Sequence, residues 1–212
     1  MEIVVNILGY NITYLELIGS IFNFLSVILA TRANLWNWVV SFVTQICFFF
    51  LFWYIGLYAN MLLQIYFTYI CIISIFRWKK TDNEDDKGLE WMTNSKRIVT
   101  FLNTIIFIGI GWMILSNIHL VFPSLKSEYP LMDVTIMVSS VVGVNMLSKK
   151  YIESWIVWIF NDIVCIALFF LSGIYIIGIE YFVITGIAIY GLINWIKIKN
   201  GKNKKIRTIE IT

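Results

Sequence analysis

Residues 153–175 read ESWIVWIFNDIVCIALFFLSGIY, and residues 36–58, 117 positions earlier, read WNWVVSFVTQICFFFLFWYIGLY. At that offset Trp38 falls on Trp155, Gly56 on Gly173 and Tyr58 on Tyr175; further along, Trp78 falls on Trp195 and Lys80 on Lys197. Each stretch is apolar over the length a helix needs to cross the hydrocarbon of a bilayer, about 20 residues. The repeated unit is therefore membrane-spanning. Repeats of hydrophobic spans are how many transporters are built, with the substrate site where the repeats meet. Transport is the first functional class to test.

Outward from these stretches the whole chain has the same character. Of its 212 residues 59% are hydrophobic and only 14% charged, and the mean hydropathy is +0.81, so no soluble core could enclose its apolar side chains. Hydropathy predicts an all-α membrane protein with seven spans: Tyr14 to Thr31, Trp36 to Tyr54, Tyr58 to Phe76, Ile98 to Asn117, Leu131 to Leu147, Trp155 to Gly173 and Ile176 to Ile196.

The loops set the orientation, because lysine and arginine in short loops stay cytoplasmic. With seven spans, every basic residue except Lys126 falls on one side, in loops one, three and five and in the carboxyl-terminal tail. The amino terminus is thus expected outside and the carboxyl terminus in the cytoplasm. One span more or fewer would scramble this split. The net charge of +3 reflects topology, and no nucleic-acid partner is read into it. The basic tail can also meet anionic lipid.

The expected organisation is a first three-helix repeat (14–76), a cytoplasmic connector (77–97), a linking helix (98–117), a second three-helix repeat (131–196) and a basic cytoplasmic tail (197–212). Four helices separate corresponding starts, so the copies share one orientation, a parallel 3+1+3 repeat like that of SWEET sugar transporters. In the connector, Asp82, Glu84, Asp85 and Asp86 lack the alternation, central glycine and closing glutamate of a calcium loop and read as solvated. The first thirteen residues do not read as a removable signal peptide. Cys47, Cys71 and Cys165 lie inside spans without metal-binding spacing and read as packing residues.

Polar side chains inside spans are costly unless they meet a partner or a cavity. Asp162 lies seven residues past Trp155, roughly 10 Å along the helix at 1.5 Å per residue. Trp155, Trp158 and Asp162 share one face, with Asn161 about 100° away. Indoles beside an acceptor suit a flat, cationic or hydrogen-bonding ring. The alternative for Asp162 is a structural hydrogen bond to a neighbouring helix. Trp155, with Trp36, Trp53, Trp78 and Trp195, is also explained by an interfacial aromatic belt.

In the first repeat Gln45 is the counterpart of Asp162, while Gln64 in span three is either a ligand or an interhelical hydrogen bond. Asn23, Asn103, Trp112 and Asn145 are weaker candidates. Other classes fare worse. A retinal protein needs a lysine deep in a helix, but the last span has none before Lys197. The single His119 and one buried aspartate make no metal site or catalytic cluster, and GxxxxGK[ST] is absent, so no cofactor, metal or catalytic residue is expected. A scaffold or signalling protein whose polar residues only pack helices is the rival from another class.

LELIGSIFNFLSVILATRANLWNW (15–38), LYANMLLQIYF (57–67) and ESWIVWIFNDIVCIALFFLSGIY together resemble the PnuC family of nicotinamide riboside transporters. The resemblance covers about half of the chain. It implies a SWEET-like seven-helix fold, a homotrimer in the bacterial inner membrane, and facilitated uptake of a small vitamin precursor that a cytoplasmic kinase then traps. It also implies substrate contacts at Trp155, Trp158, Asn161 and Asp162, with Gln64 opposite. Where the family pattern has an asparagine and then a glycine-tryptophan pair, this chain has Cys71, Ser74 and Ile75. Nicotinamide riboside is the leading substrate; thiamine, riboflavin and deoxynucleosides stay open.

Overall fold

The computed structural model describes residues 3–7, 10–54, 58–81, 88–120, 127–173 and 175–211. The chain separates into two compact units, Met1–Gly88 and Leu89–Thr212. Among the described residues seven helices are long and apolar enough to cross a membrane. The acidic run 82–86 and Lys126 lie outside the described residues.

The first unit opens with an antiparallel hairpin of β1 (Ile3–Ile7) and β2 (Tyr10–Thr13), an element the sequence reading did not assign. Three helices follow, α1 (Tyr14–Thr31), α2 (Trp36–Tyr54) and α3 (Tyr58–Thr81). Thr13 ends the hairpin and caps α1, its hydroxyl accepting the Glu16 N–H at 3.3 Å. The second unit holds α4 (Asn94–Asn117), α5 (Pro130–Ser148), α6 (Ser154–Leu171) and α7 (Tyr175–Ile211). Pro130 stands in the first turn of α5, where its missing N–H costs nothing.

In each unit a middle helix packs on both of its neighbours: α2 on α1 and α3, and α6 on α5 and α7. The helix read as a linker, α4, belongs to the second unit and packs on α5, where Gly111 leaves room for Val134.

The expected boundaries need two changes. α3 runs on through Arg77–Thr81 and α4 starts at Asn94, so both ends of the connector are helical. α7 likewise continues through the basic tail to Ile211. Hydropathy marks where the hydrocarbon ends, not where the backbone ladder stops. Lys79 and Lys80 also suit the negative end of the α3 dipole.

The two interhelical corners match bond for bond. In the α1–α2 corner, Arg32 donates to the Leu29 carbonyl (3.1 Å), Ala33 to Ala30 (2.9 Å), Asn34 to Leu29 (3.2 Å), Asn37 to Asn34 (3.1 Å) and Trp38 to Leu35 (3.1 Å). In the α5–α6 corner, Lys149 donates to Met146 (3.1 Å), Lys150 to Leu147 (2.9 Å), Tyr151 to Met146 (3.0 Å), Ser154 to Tyr151 (3.0 Å) and Trp155 to Ile152 (3.2 Å). Every pair is displaced by 117 residues. So is the left-handed residue of each corner, Ala33 (φ 47°) and Lys150 (φ 59°). Two non-glycine residues held in a sparsely allowed region at one relative position are not explained by composition.

Candidate functional site

The aromatic partners repeat at the same offset. Trp38 meets Trp78 edge-to-face at 5.5 Å and 86°, and Trp155 meets Trp195 at 5.5 Å and 89°. Trp78 is 1% exposed and Trp195 0%, which corrects the aromatic-belt reading for both; Trp155, 2% exposed, does not sit in a belt either. Trp36 and Trp53 are exposed, as a belt requires. A Cβ on Gly191 would lie 2.7 Å from the Trp155 ring, so α7 approaches α6 this closely only because residue 191 is glycine. Trp155 is thus a packed core residue on which the rest of its helix face rests.

One turn on, Trp158 lies against α5, where a Cβ on Gly143 would come within 3.0 Å of the indole. Its Nε1–H is enclosed and has no hydrogen-bond acceptor among the described residues. Asn161 is different. Its amide donates to Ser140 Oγ at 2.6 Å and to the Ile136 carbonyl at 3.3 Å, both on α5, and its Oδ1 accepts from the Cys165 thiol at 3.3 Å. Both amide protons are engaged, so Asn161 holds α5 and α6 together.

Asp162, the next residue, is 3% exposed and makes no hydrogen bond or ion pair among the described residues; its Oδ2 is enclosed without a partner. No hydrogen bond from Asp162 to a neighbouring helix forms among the described residues. A buried carboxyl without a partner is expensive, and a ligand can supply the missing donor.

In the first unit Gln64 is 7% exposed, and its side-chain amide has no partner among the described residues. Gln45, the counterpart of Asp162, is half-buried and likewise makes no side-chain hydrogen bond there. Thr44, the counterpart of Asn161, turns back to the Val40 carbonyl of its own helix at 3.4 Å. Asn145 does the same to Val141 at 2.7 Å, and Asn103 and Trp112 are exposed. The three cysteines are buried and free.

Ser140 escaped the sequence reading. The signal was available, because a buried amide such as Asn161 demands acceptors, and span five offers Ser139 and Ser140 at its centre. Ser139 bonds its own helix, to the Thr135 carbonyl at 2.6 Å, and Ser140 takes the amide.

Residues 13–197 match the family model described as nicotinamide mononucleotide transporter. The chain belongs to this family. It is 26% identical over 208 residues to the nicotinamide riboside transporter PnuC of Escherichia coli (strain K12), an alignment covering 89% of this chain and 87% of the relative. It is 23% identical over 188 residues to the riboflavin/roseoflavin transporter RibM of Streptomyces davaonensis, covering 87% and 85%.

Among solved structures, that of the vitamin B3 transporter PnuC superposes with a TM-score of 0.66 at 19% identity, over 87% of this chain and 81% of that one. The family, with the seven apolar helices, makes this chain a multi-pass inner-membrane transporter of a small molecule rather than an enzyme.

Proposed function

We propose that this transporter carries nicotinamide riboside into the cell by facilitated diffusion, with Trp158 and Asp162 of α6 and Gln64 of α3 as the substrate-contacting groups. The observation that carries the reading is Asp162, a buried carboxyl that makes no hydrogen bond or ion pair among the described residues. Nicotinamide riboside offers what is missing: a cationic pyridinium to lie on an indole face and ribose hydroxyls to donate to a carboxylate. The name of the Escherichia coli relative supports the same substrate.

Trp155 and Asn161 act behind these groups, as the packed base of the face and its tie to α5. Gln45 contributes a neutral amide at the position matching Asp162. No energy source is needed if a cytoplasmic kinase phosphorylates the product and so removes it from the gradient.

The architecture in this reading is a parallel, SWEET-like 3+1+3 repeat, supported by the matched corners and the matched tryptophan pairs. The protein works as a homotrimer, with its amino terminus outside and its carboxyl terminus in the cytoplasm, as the distribution of lysine and arginine requires. Riboflavin is the second reading, favoured by the RibM relative; its ribityl hydroxyls can also donate to Asp162. Thiamine, a flat cation, is a third.

Thermal stabilisation of the purified protein by each compound separates these readings, because a ligand that binds only the folded state raises its melting temperature. Stabilisation by nicotinamide riboside, absent in Asp162→Asn and accompanied by saturable uptake in proteoliposomes, is the expected result. Stabilisation by riboflavin or thiamine instead replaces the substrate, and a protein indifferent to all three refutes the reading.

A further inference from the structure

The two matched corners differ in one respect. In the first unit the Trp36 N–H, which opens α2, is capped locally by Asn34 Oδ1 at 2.9 Å. The matching position in the second unit is Glu153. Glu153 occupies the N-cap of α6 yet makes no side-chain hydrogen bond to its own helix, although a carboxylate there is well placed to do so.

Its carboxylate turns to the segment that precedes α4. It accepts the Met92 N–H through both oxygens, at 3.0 and 3.1 Å, and the Arg97 Nε–H at 2.7 Å, with a second guanidinium nitrogen at 2.6 Å. Beside it Glu90 pairs with the corner backbone, donating to the Lys150 carbonyl at 3.1 Å and accepting from Ile152 at 3.0 Å. Leu89 and Ile152 are fully enclosed beneath this contact, and Lys96 donates to the Tyr151 hydroxyl at 3.1 Å. Residues 89–97 are strapped across the α5–α6 corner.

Among the described residues no backbone segment is hydrogen-bonded across the matching corner of the first unit as residues 89–97 are here. The diverted carboxylate holds something else, namely the chain that arrives from α3. We propose that Glu153 is a positioning residue for transport, anchoring this strap to the first turn of the helix that carries Trp158 and Asp162. Those side chains lie five and nine residues further on, about 8 and 14 Å along the helix. Displacement of the chain upstream reaches α6 through the Glu153 contact. Removing the contact leaves the corner, the tryptophan pair and the Asn161 tie intact. Substrate binding therefore survives while turnover falls.

The inference rests on the transport reading, and the experiment tells the two apart. Full-length wild type, Glu153→Gln, Glu153→Ala, Arg97→Glu and the double reversal Glu153→Arg/Arg97→Glu are reconstituted in liposomes. Amide exchange over residues 89–97, the dissociation constant for nicotinamide riboside and its initial rate of uptake are then compared.

In Glu153→Ala the Glu90 and Met92 amides exchange roughly tenfold faster or more. Uptake falls roughly tenfold, the factor of one lost charge-assisted hydrogen bond, and the dissociation constant stays within about threefold. Arg97→Glu is at least as slow, the double reversal recovers part of the rate, and Glu153→Gln, which keeps an acceptor for Met92, lies between.

Should Glu153→Ala not fold, Glu153→Gln and the Arg97 pair decide. Wild-type rates in these variants, or affinity lost in step with rate, overturn the proposal while leaving the transporter intact. A wild-type protein that neither binds nor carries nicotinamide riboside, riboflavin or thiamine removes the transport reading and this proposal together.

Discussion

Asn161 and Asp162 are neighbours of similar shape, and the structure assigns them opposite sensitivities. Asn161 makes two interhelical donations, to Ser140 at 2.6 Å and to Ile136 at 3.3 Å. Interhelical hydrogen bonds in membranes average about 0.6 kcal/mol each and reach about 1.7. Asn161→Ala should therefore cost about 1–2 kcal/mol, a fall in melting temperature of about 2–8 °C for a chain of this size.

Asp162→Asn breaks no bond, since the carboxyl has no partner among the described residues, and should leave stability unchanged or raise it, because a neutral amide costs less to bury than an unpaired carboxylate. A hydrogen bond to a charged group is worth about 1.5–3 kcal/mol, so its loss weakens substrate binding about 10- to 150-fold. The assay is thermal unfolding of each variant with and without nicotinamide riboside, alongside uptake. The reasoning is refuted if Asp162→Asn unfolds earlier than Asn161→Ala, or if it keeps the full ligand-induced shift.

Three further outcomes follow from the same geometry. Gln64→Leu replaces a buried amide that has no partner among the described residues by an apolar side chain of similar volume; it should leave the melting temperature unchanged or higher while weakening ligand binding, which titration calorimetry reads directly. Gly191→Ala drives a methyl to 2.7 Å from the Trp155 ring and should cost about 1–3 kcal/mol by overpacking. Gly186→Ala, with nothing within 4 Å, should be neutral or slightly stabilising, a contrast that melting curves resolve. A membrane-impermeant maleimide added to intact cells should label Lys126→Cys and spare Lys149→Cys; labelling of Lys149→Cys instead inverts the topology.

Three of the seven helices, α1, α2 and α5, could be placed from hydropathy to within a residue at each end, α1 and α2 to the residue, and α6 to within two. Each was bounded by a residue that cannot continue a buried helix cheaply: Arg32 after α1, Pro130 at the start of α5, Ser172 and Gly173 after α6. Gly173 takes φ 74°, the left-handed turn that glycine adopts without steric cost. The helical ends of the connector and tail were not legible, because charge says that a segment leaves the lipid and not that its ladder breaks. The hairpin at Ile3–Thr13 gave no alternation clear enough to assign as strands.

The sequence by itself determined the membrane class, the number of spans, the repeat offset and the face on which Trp158 and Asp162 stand, because all of these follow from helical period and the cost of polar groups in hydrocarbon. It also marked Trp155, Asn161 and Asp162 as candidate site residues, with Asp162 the costly group at depth. Only the tertiary structure decided which of those costs is already met inside the protein. Trp155 is met by Trp195 and Gly191, Asn161 by Ser140 and Ile136, and Glu153 by Met92 and Arg97, while Asp162 makes no hydrogen bond among the described residues. Partners as far as 61 residues apart are brought together by helix packing, which no local pattern encodes.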